Sequence, residues 1–214
     1  MKFPNEAFDY IDDKHNVRTW IKRAINWKNS KQLTNLTPWL NAQVAEASIN
    51  PQILTIIDEA IPRHVSKDNL DFRALLCLRW VIKNFTYKTD DNVWKTPEYW
   101  QRYDESLTLM SGDCEDGAIL LYVLCRVAGI PANRLHLLAG LVQGGGHCWL
   151  AYRPEEMPWL FTFMDWCYWR NTKSIKTRPK FFINERDIDG DDPRYYDIWF
   201  GFNECNGYYY YNMS

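Results

Sequence analysis

Ser111-Gly112-Asp113-Cys114-Glu115-Asp116-Gly117-Ala118 is the stretch on which the fold turns. Ile119, Leu120, Leu121, Val123 and Leu124 follow it around most of a helical circumference, so the spacing predicts a buried helix starting at Cys114. Gly129 and then Ile130-Pro131 stop that helix. A cysteine inside an apolar helix, such as Cys77 or Cys125, reads as a small core residue. Cys114 differs because it sits at the helix mouth after a glycine, where backbone can approach a substrate and partial positive charge favours a thiolate.

Downstream, three strand candidates at 134–142, 147–152 and 160–166 are separated by Gly144-Gly145-Gly146 and by the proline-bounded stretch 154–158. The pattern is a helix packed on an antiparallel sheet, an α+β fold. Of the four histidines, His15 and His64 lie in polar helical surroundings and His136 lies within an apolar strand. His147 follows three glycines at a strand start, where the sheet holds the imidazole and small neighbours leave access. Asp165, between Met164 and Trp166, needs a partner for a carboxylate among aromatic residues, and an imidazolium is one. Neighbouring strands lie about 4.8 Å apart, within reach of such a pair. Cys114 is then the nucleophile, His147 its base and acid, Asp165 the orienter, and the backbone N–H of Cys114 an oxyanion donor.

Upstream, residues 1–85 read as a helical N-terminal region packed on a catalytic core at 86–214. Trp20, Ile21, Ala24 and Ile25 have helical spacing. Thr37-Pro38 and Asn50-Pro51 each place a capping side chain before a proline at the first helical position, and Ser66 is positioned to cap a helix ending near Asn84. Thr96-Pro97-Glu98 predicts a short helix through Trp100 and Tyr103. The acidic stretch 187–192 lacks the twelve-residue calcium-loop pattern and reads as a solvated turn.

Composition narrows the classes. The 214 residues carry a formal charge of −2 with both signs interspersed, so neither nucleic acid nor an anionic membrane is an expected partner. No basic-then-apolar leader opens the sequence and no apolar run reaches the length of a membrane span, which predicts a soluble, unprocessed cytoplasmic protein. Six cysteines in a chain with ample core residues read as reduced thiols. The sequons at Asn35, Asn84 and Asn212 read as chance matches. Zinc ligation by Cys114, His147, Cys148, Asp165 and Cys167 is disfavoured, since no Cys-x-x-Cys knuckle occurs and adjacent strand residues point to opposite faces. Eleven Trp and thirteen Tyr predict an aromatic surface or cleft.

Gly112-Asp113-Cys114-Glu115-Asp116, the helix ending at 126–132, His147-Cys148-Trp149 and Asp165 together resemble the transglutaminase-like cysteine peptidase superfamily. Trp94-Lys95-Thr96-Pro97-Glu98 is similar to the Trp-x-Thr-Pro element of the bacterial transglutaminase-like cysteine proteinases. The resemblance covers about residues 86–167. It implies a papain- or transglutaminase-like core and acyl chemistry on a protein or peptide amide, by hydrolysis or by transfer to an amine. It also implies a side-chain oxyanion donor upstream, for which Trp94 and Tyr87 are the candidates. The triad requires no cofactor. Some bacterial members bind calcium through acids flanking the nucleophile, and Asp113, Glu115 and Asp116 occupy those positions; acids at a helix start also complement its dipole. The aromatic C-terminal region has no counterpart in the resemblance. This leaves a second reading, a non-catalytic or self-processing assembly module such as a phage virion component, with that region as the interface to an assembly partner.

Overall fold

Apolar periodicity and caps account for most of the helices in the computed structural model, which describes residues 7–11, 17–22, 36–143, 145–181 and 195–212. Strands β1 (Ala7–Ile11) and β2 (Val17–Lys22) come first, followed by α1 (Leu36–Ala47), α2 (Pro51–Ala60) and α3 (Leu70–Asn84). A short strand β3 (Thr86–Tyr87), a single turn α4 (Asp90–Val93), α5 (Tyr103–Leu109) and β4 (Ser111–Gly112) lead into α6 (Cys114–Val127). The remaining strands are β5 (Leu135–Val142), β6 (Gly145–Tyr152), β7 (Phe161–Met164), β8 (Lys180–Phe181), β9 (Tyr195–Phe202) and β10 (Gly207–Asn212).

The large sheet has the order β1-β2-β10-β9-β5-β6-β7-β8, and every pair in it is antiparallel. Period-two alternation divides its side chains between two cores. Leu137, Ala139, Cys148, Leu150 and Tyr152 join the helices around α6, while Leu138, Trp149, Ala151, Phe163 and Tyr195 form a second cluster with Phe161 and Phe181. Eleven residues of α6, from Glu115 to Cys125, are buried, so this helix is the axis on which the other helices and the sheet pack. The architecture is the α+β, transglutaminase- and papain-like one that the sequence predicts, with helices preceding the main sheet. No helix among the described residues is long and apolar enough to cross a membrane.

Local expectations fare unevenly. Asn50 caps α2 as predicted, accepting from the N–H groups of Gln52 at 2.9 Å and Ile53 at 3.3 Å. The cap of α3 is Asn69, which accepts from Phe72 N–H at 3.2 Å; Ser66 instead closes a turn with Asp68. Thr37-Pro38 falls inside α1. The helix expected around Trp20 and Ile21 is a strand, because β2 is paired on one side by β1 and on the other by β10 from the far end of the chain, and long-range pairing overrides local spacing. Ala24, Ile25 and the acidic stretch 187–192 lie outside the described residues. No helix starts at Thr96-Pro97. Lys95 has φ 58°, Tyr99 N–H donates to the Asp90 carboxylate, and Trp94 stacks on Tyr99 at 4.3 Å, so this segment wraps α4 and helix resumes only at Tyr103.

Candidate active site

The mouth of α6 is built by tight packing behind it. Asp116, fully buried, accepts from Gln101 N–H at 2.8 Å and from Asp113 N–H at 3.2 Å, which fixes the chain on both sides of Cys114. Gly112 is required there, since a Cβ would lie 2.3 Å from the Asp116 carboxylate. Trp166 Nε1–H donates to the Cys114 carbonyl at 3.1 Å, and its ring presses on Gly117, where a Cβ would lie 2.3 Å from ring atoms. Gly117→Ala is therefore expected to cost about 1–3 kcal/mol by overpacking, read as a lowered Tm. The β3–β4 pairing sets Tyr87 beside Gly112, two residues before Cys114.

His147 lies on β6, and Asp165 immediately follows β7, which pairs with β6 in the register Leu150↔Met164. His147 Nε2 is 2.6 Å from Asp165 Oδ2. The imidazole stacks on Trp149 at 5.9 Å and meets the edge of Tyr168 at 4.9 Å. Asp165 is fully buried, and its second oxygen accepts from the N–H groups of Cys167 at 2.7 Å and Tyr168 at 3.2 Å. A further donor to Oδ2, Tyr195 Oη at 2.6 Å, was not visible in the sequence.

Cys114 and His147 open onto one cleft of about 180 Å³, whose other walls are Tyr87, Glu98, Trp100, Asp113, Glu115, Ala139, Gly146, Cys148 and Trp199. Trp94 is stacked on Tyr99 outside this lining, whereas Tyr87 is in it. The Tyr87 hydroxyl is held protonated by burial first and then by the neighbouring Cys114 and Asp113. Ligand atoms of His147, Asp165 and Cys167 do gather within 4.8 Å, although the chain spacing argues against zinc. The first two satisfy each other by hydrogen bonding.

The electrostatics depart from a simple helix-mouth thiolate. Burial pushes the Cys114 thiol well above its ordinary range, and the charges of Glu115 and Asp113 push the same way; the thiol donates to Glu115 Oε2 at 3.0 Å. Several nearby carboxylates outweigh a helix end worth about half a charge. These acids are themselves strained electrostatically. Burial and the charge of Asp113 raise Asp90 to about 7 and Asp116 to about 8, while Asp113 rises to about 6 and Glu115 well above the carboxylate range.

Asp90 Oδ1, Asp113 Oδ1 and Glu115 Oε1 are buried without a hydrogen-bond partner. Asp90, Glu98 and Glu115 bring oxygens within 4.8 Å of one another, as do Asp90, Asp113 and Asp116. Converging hard oxygen donors with unmet acceptors fit a divalent cation such as calcium. Asp90 and Glu98 were not identified from the sequence, because the turn that folds them toward Asp113 leaves no local pattern.

Residues 60–161 match the family model described as the Transglutaminase-like superfamily. The family resemblance carried by the motifs is thereby borne out. The matched stretch contains Cys114 and His147 and ends before Asp165. Among solved structures, calcium-bound LapG from Legionella pneumophila is 17% identical, with a TM-score of 0.48 over 79% of this chain and 87% of that one. EGTA-treated LapG is 18% identical, with a TM-score of 0.47 over 79% and 84%. A candidate cysteine protease from Cytophaga hutchinsonii is 10% identical, with a TM-score of 0.42 over 99% and 76%. No curated protein matches the chain.

Proposed function

We propose that this protein performs cysteine-dependent acyl chemistry on a protein or peptide amide, with Cys114 as nucleophile, His147 as base and acid, and Asp165 as orienter. The observation that carries this reading is one cleft shared by Cys114 and His147, with His147 Nε2 bound to a fully buried carboxylate. Because Asp165 engages Nε2, Nδ1 is the ring nitrogen left to take the thiol proton. The thiolate attacks the carbonyl carbon, forming a C–S bond and placing negative charge on the carbonyl oxygen. Cys114 N–H in the first turn of α6 and the Tyr87 hydroxyl are the oxyanion donors we assign. Collapse breaks the C–N bond, and the proton on His147 goes to the leaving amine. Water or a second amine then takes the acyl group from the thioester.

We assign calcium to Asp113, Glu115 and Asp90, each of which has one buried oxygen without a hydrogen-bond partner, while Asp116 braces the site from behind. When bound, the ion supplies positive charge that offsets the acids raising the Cys114 thiol. The assembly-module reading has less behind it, since β10 in the aromatic C-terminal region is paired on both edges within the sheet.

Site-resolved iodoacetamide labelling against pH, in excess calcium and in chelator, tests the reading. Cys114 is expected to label ahead of the other five thiols in calcium, at a pH that His147→Ala raises, and to label slowly in chelator. A Cys114 inert under both conditions would overturn the proposal. Tyr87→Phe is expected to lower kcat by about 10²-fold at little changed KM; an unchanged kcat would remove Tyr87 from the oxyanion site.

A further inference from the structure

Asp165 Oδ2 is asked to serve two donors at once, and the second comes from a part of the chain that the matched family stretch does not reach. Tyr195 Oη donates to it at 2.6 Å, the same distance as His147 Nε2 on the same atom. Tyr195 is fully buried at the first position of β9, and its ring is clamped by Phe163 at 4.2 Å and by the edge of Trp149 at 5.1 Å. A hydroxyl on so rigid a ring fixes the carboxylate about its last torsion, which would otherwise be broad.

Behind this pair sits Arg178, itself buried, whose guanidinium donates to the carbonyls of Phe163, Trp169 and Asn171. These carbonyls flank Asp165 in the chain on both sides, and the arginine lies within the electrostatic reach of Asp165 and Tyr195. A buried carboxylate with four hydrogen-bond donors around it, on a segment whose carbonyls are held by Arg178, is immobile.

Resting on the triad proposed above, we infer that Tyr195 is a positioning residue, which holds Asp165 so that His147 keeps its proton on Nε2 and presents Nδ1 to Cys114, with Arg178 securing the segment that carries Asp165. Tyr195 shares the oxygen that faces the imidazole, so its removal has two consequences. The carboxylate gains torsional freedom, and its negative charge is concentrated on the one remaining side-chain donor. Orientation is lost while the attraction for an imidazolium grows.

The test is Tyr195→Phe, which deletes one hydroxyl and keeps the ring. Imidazole ¹⁵N resonances, assigned to His147 by comparison with His147→Asn, report the tautomer without needing any activity. Wild type is expected to show a single Nε2–H tautomer, and the variant a mixture. In turnover, kcat is expected to fall roughly 10-fold at similar KM, with the alkaline limb of the kcat/KM profile moving up by roughly half to one pH unit. In an Asp165→Asn background the same change should do almost nothing further, because the two residues act through one contact. A lowered Tm with an unchanged tautomer, profile and kcat would make Tyr195 merely structural and overturn the inference. A wild type without thiol-dependent activity, yet with a tautomer that responds to Tyr195→Phe, would sink the proposed function and leave the positioning contact standing.

Discussion

Cys114→Ala is expected to abolish amide hydrolysis and acyl transfer, a loss of at least about 10⁴-fold in kcat, while the fold persists. The substitution removes the one sulfur that lines the cleft beside His147 at the helix mouth; Cys148, also in the lining, is fully packed into the core face of β6. His147→Asn should cost a similar factor. The double variant should be no worse than either single one, because nucleophile and base work as a unit. Circular dichroism and Tm serve as controls, since Ala retains the packing of a small side chain at the first turn of α6. A Cys114→Ala protein that retains a tenth of wild-type turnover would rule out thiol chemistry at this position.

The second large effect is on stability, and it runs through the acids around Cys114. Asp90, Asp113 and Asp116 fold with carboxyl groups raised to about 7, 6 and 8, burial being the first cause in each case. A group whose folded value lies above its unfolded value holds a proton in the native state that the unfolded chain has already released. Native protein therefore binds more protons, and stability falls as pH rises through that interval. For metal-free protein the penalty is absent below about pH 4, grows as pH rises through the folded values of about 6, 7 and 8, and is complete for these three groups only above about pH 9.

At the proposed site calcium is expected to reverse it, because the ion would favour the ionised carboxylates. At a hundred times its dissociation constant a ligand adds about 2.7 kcal/mol, or about 5–10 °C in Tm for a chain of this size. That rise is expected at pH 8 and should shrink markedly at pH 5. Glu115→Gln should raise the metal-free Tm at pH 8 and blunt the calcium response. Identical melting curves in calcium and chelator at both pH values would remove the metal from this site.

Much of this was legible before any coordinates. The Cys114 helix, its stop at Gly129 and the three strands that follow are local signals of period, cap and turn, and the structure returns α6, β5, β6 and β7 within a few residues of the expected bounds. His147 and Asp165 were singled out because a histidine after glycines and a carboxylate among aromatics are chemically conspicuous wherever they fall. Less visible was everything that depends on contacts between distant segments. The strand character of β2 is set by β10, and the irregular path after α4 is set by a carboxylate nine residues before Tyr99.

The sequence by itself determined the Cys114 helix, the sheet it packs on and the identities of the three residues proposed for catalysis, since periodicity, punctuation and side-chain chemistry are written along the chain. Only the tertiary structure decided what surrounds them. It turned Asp90 and Glu98 toward Asp113 and Glu115, raised the thiol where a helix mouth alone would lower it, and set Tyr195 on Asp165 across a separation of 30 residues. Electrostatic strength depends on distance and burial, and neither exists until the chain has closed on itself.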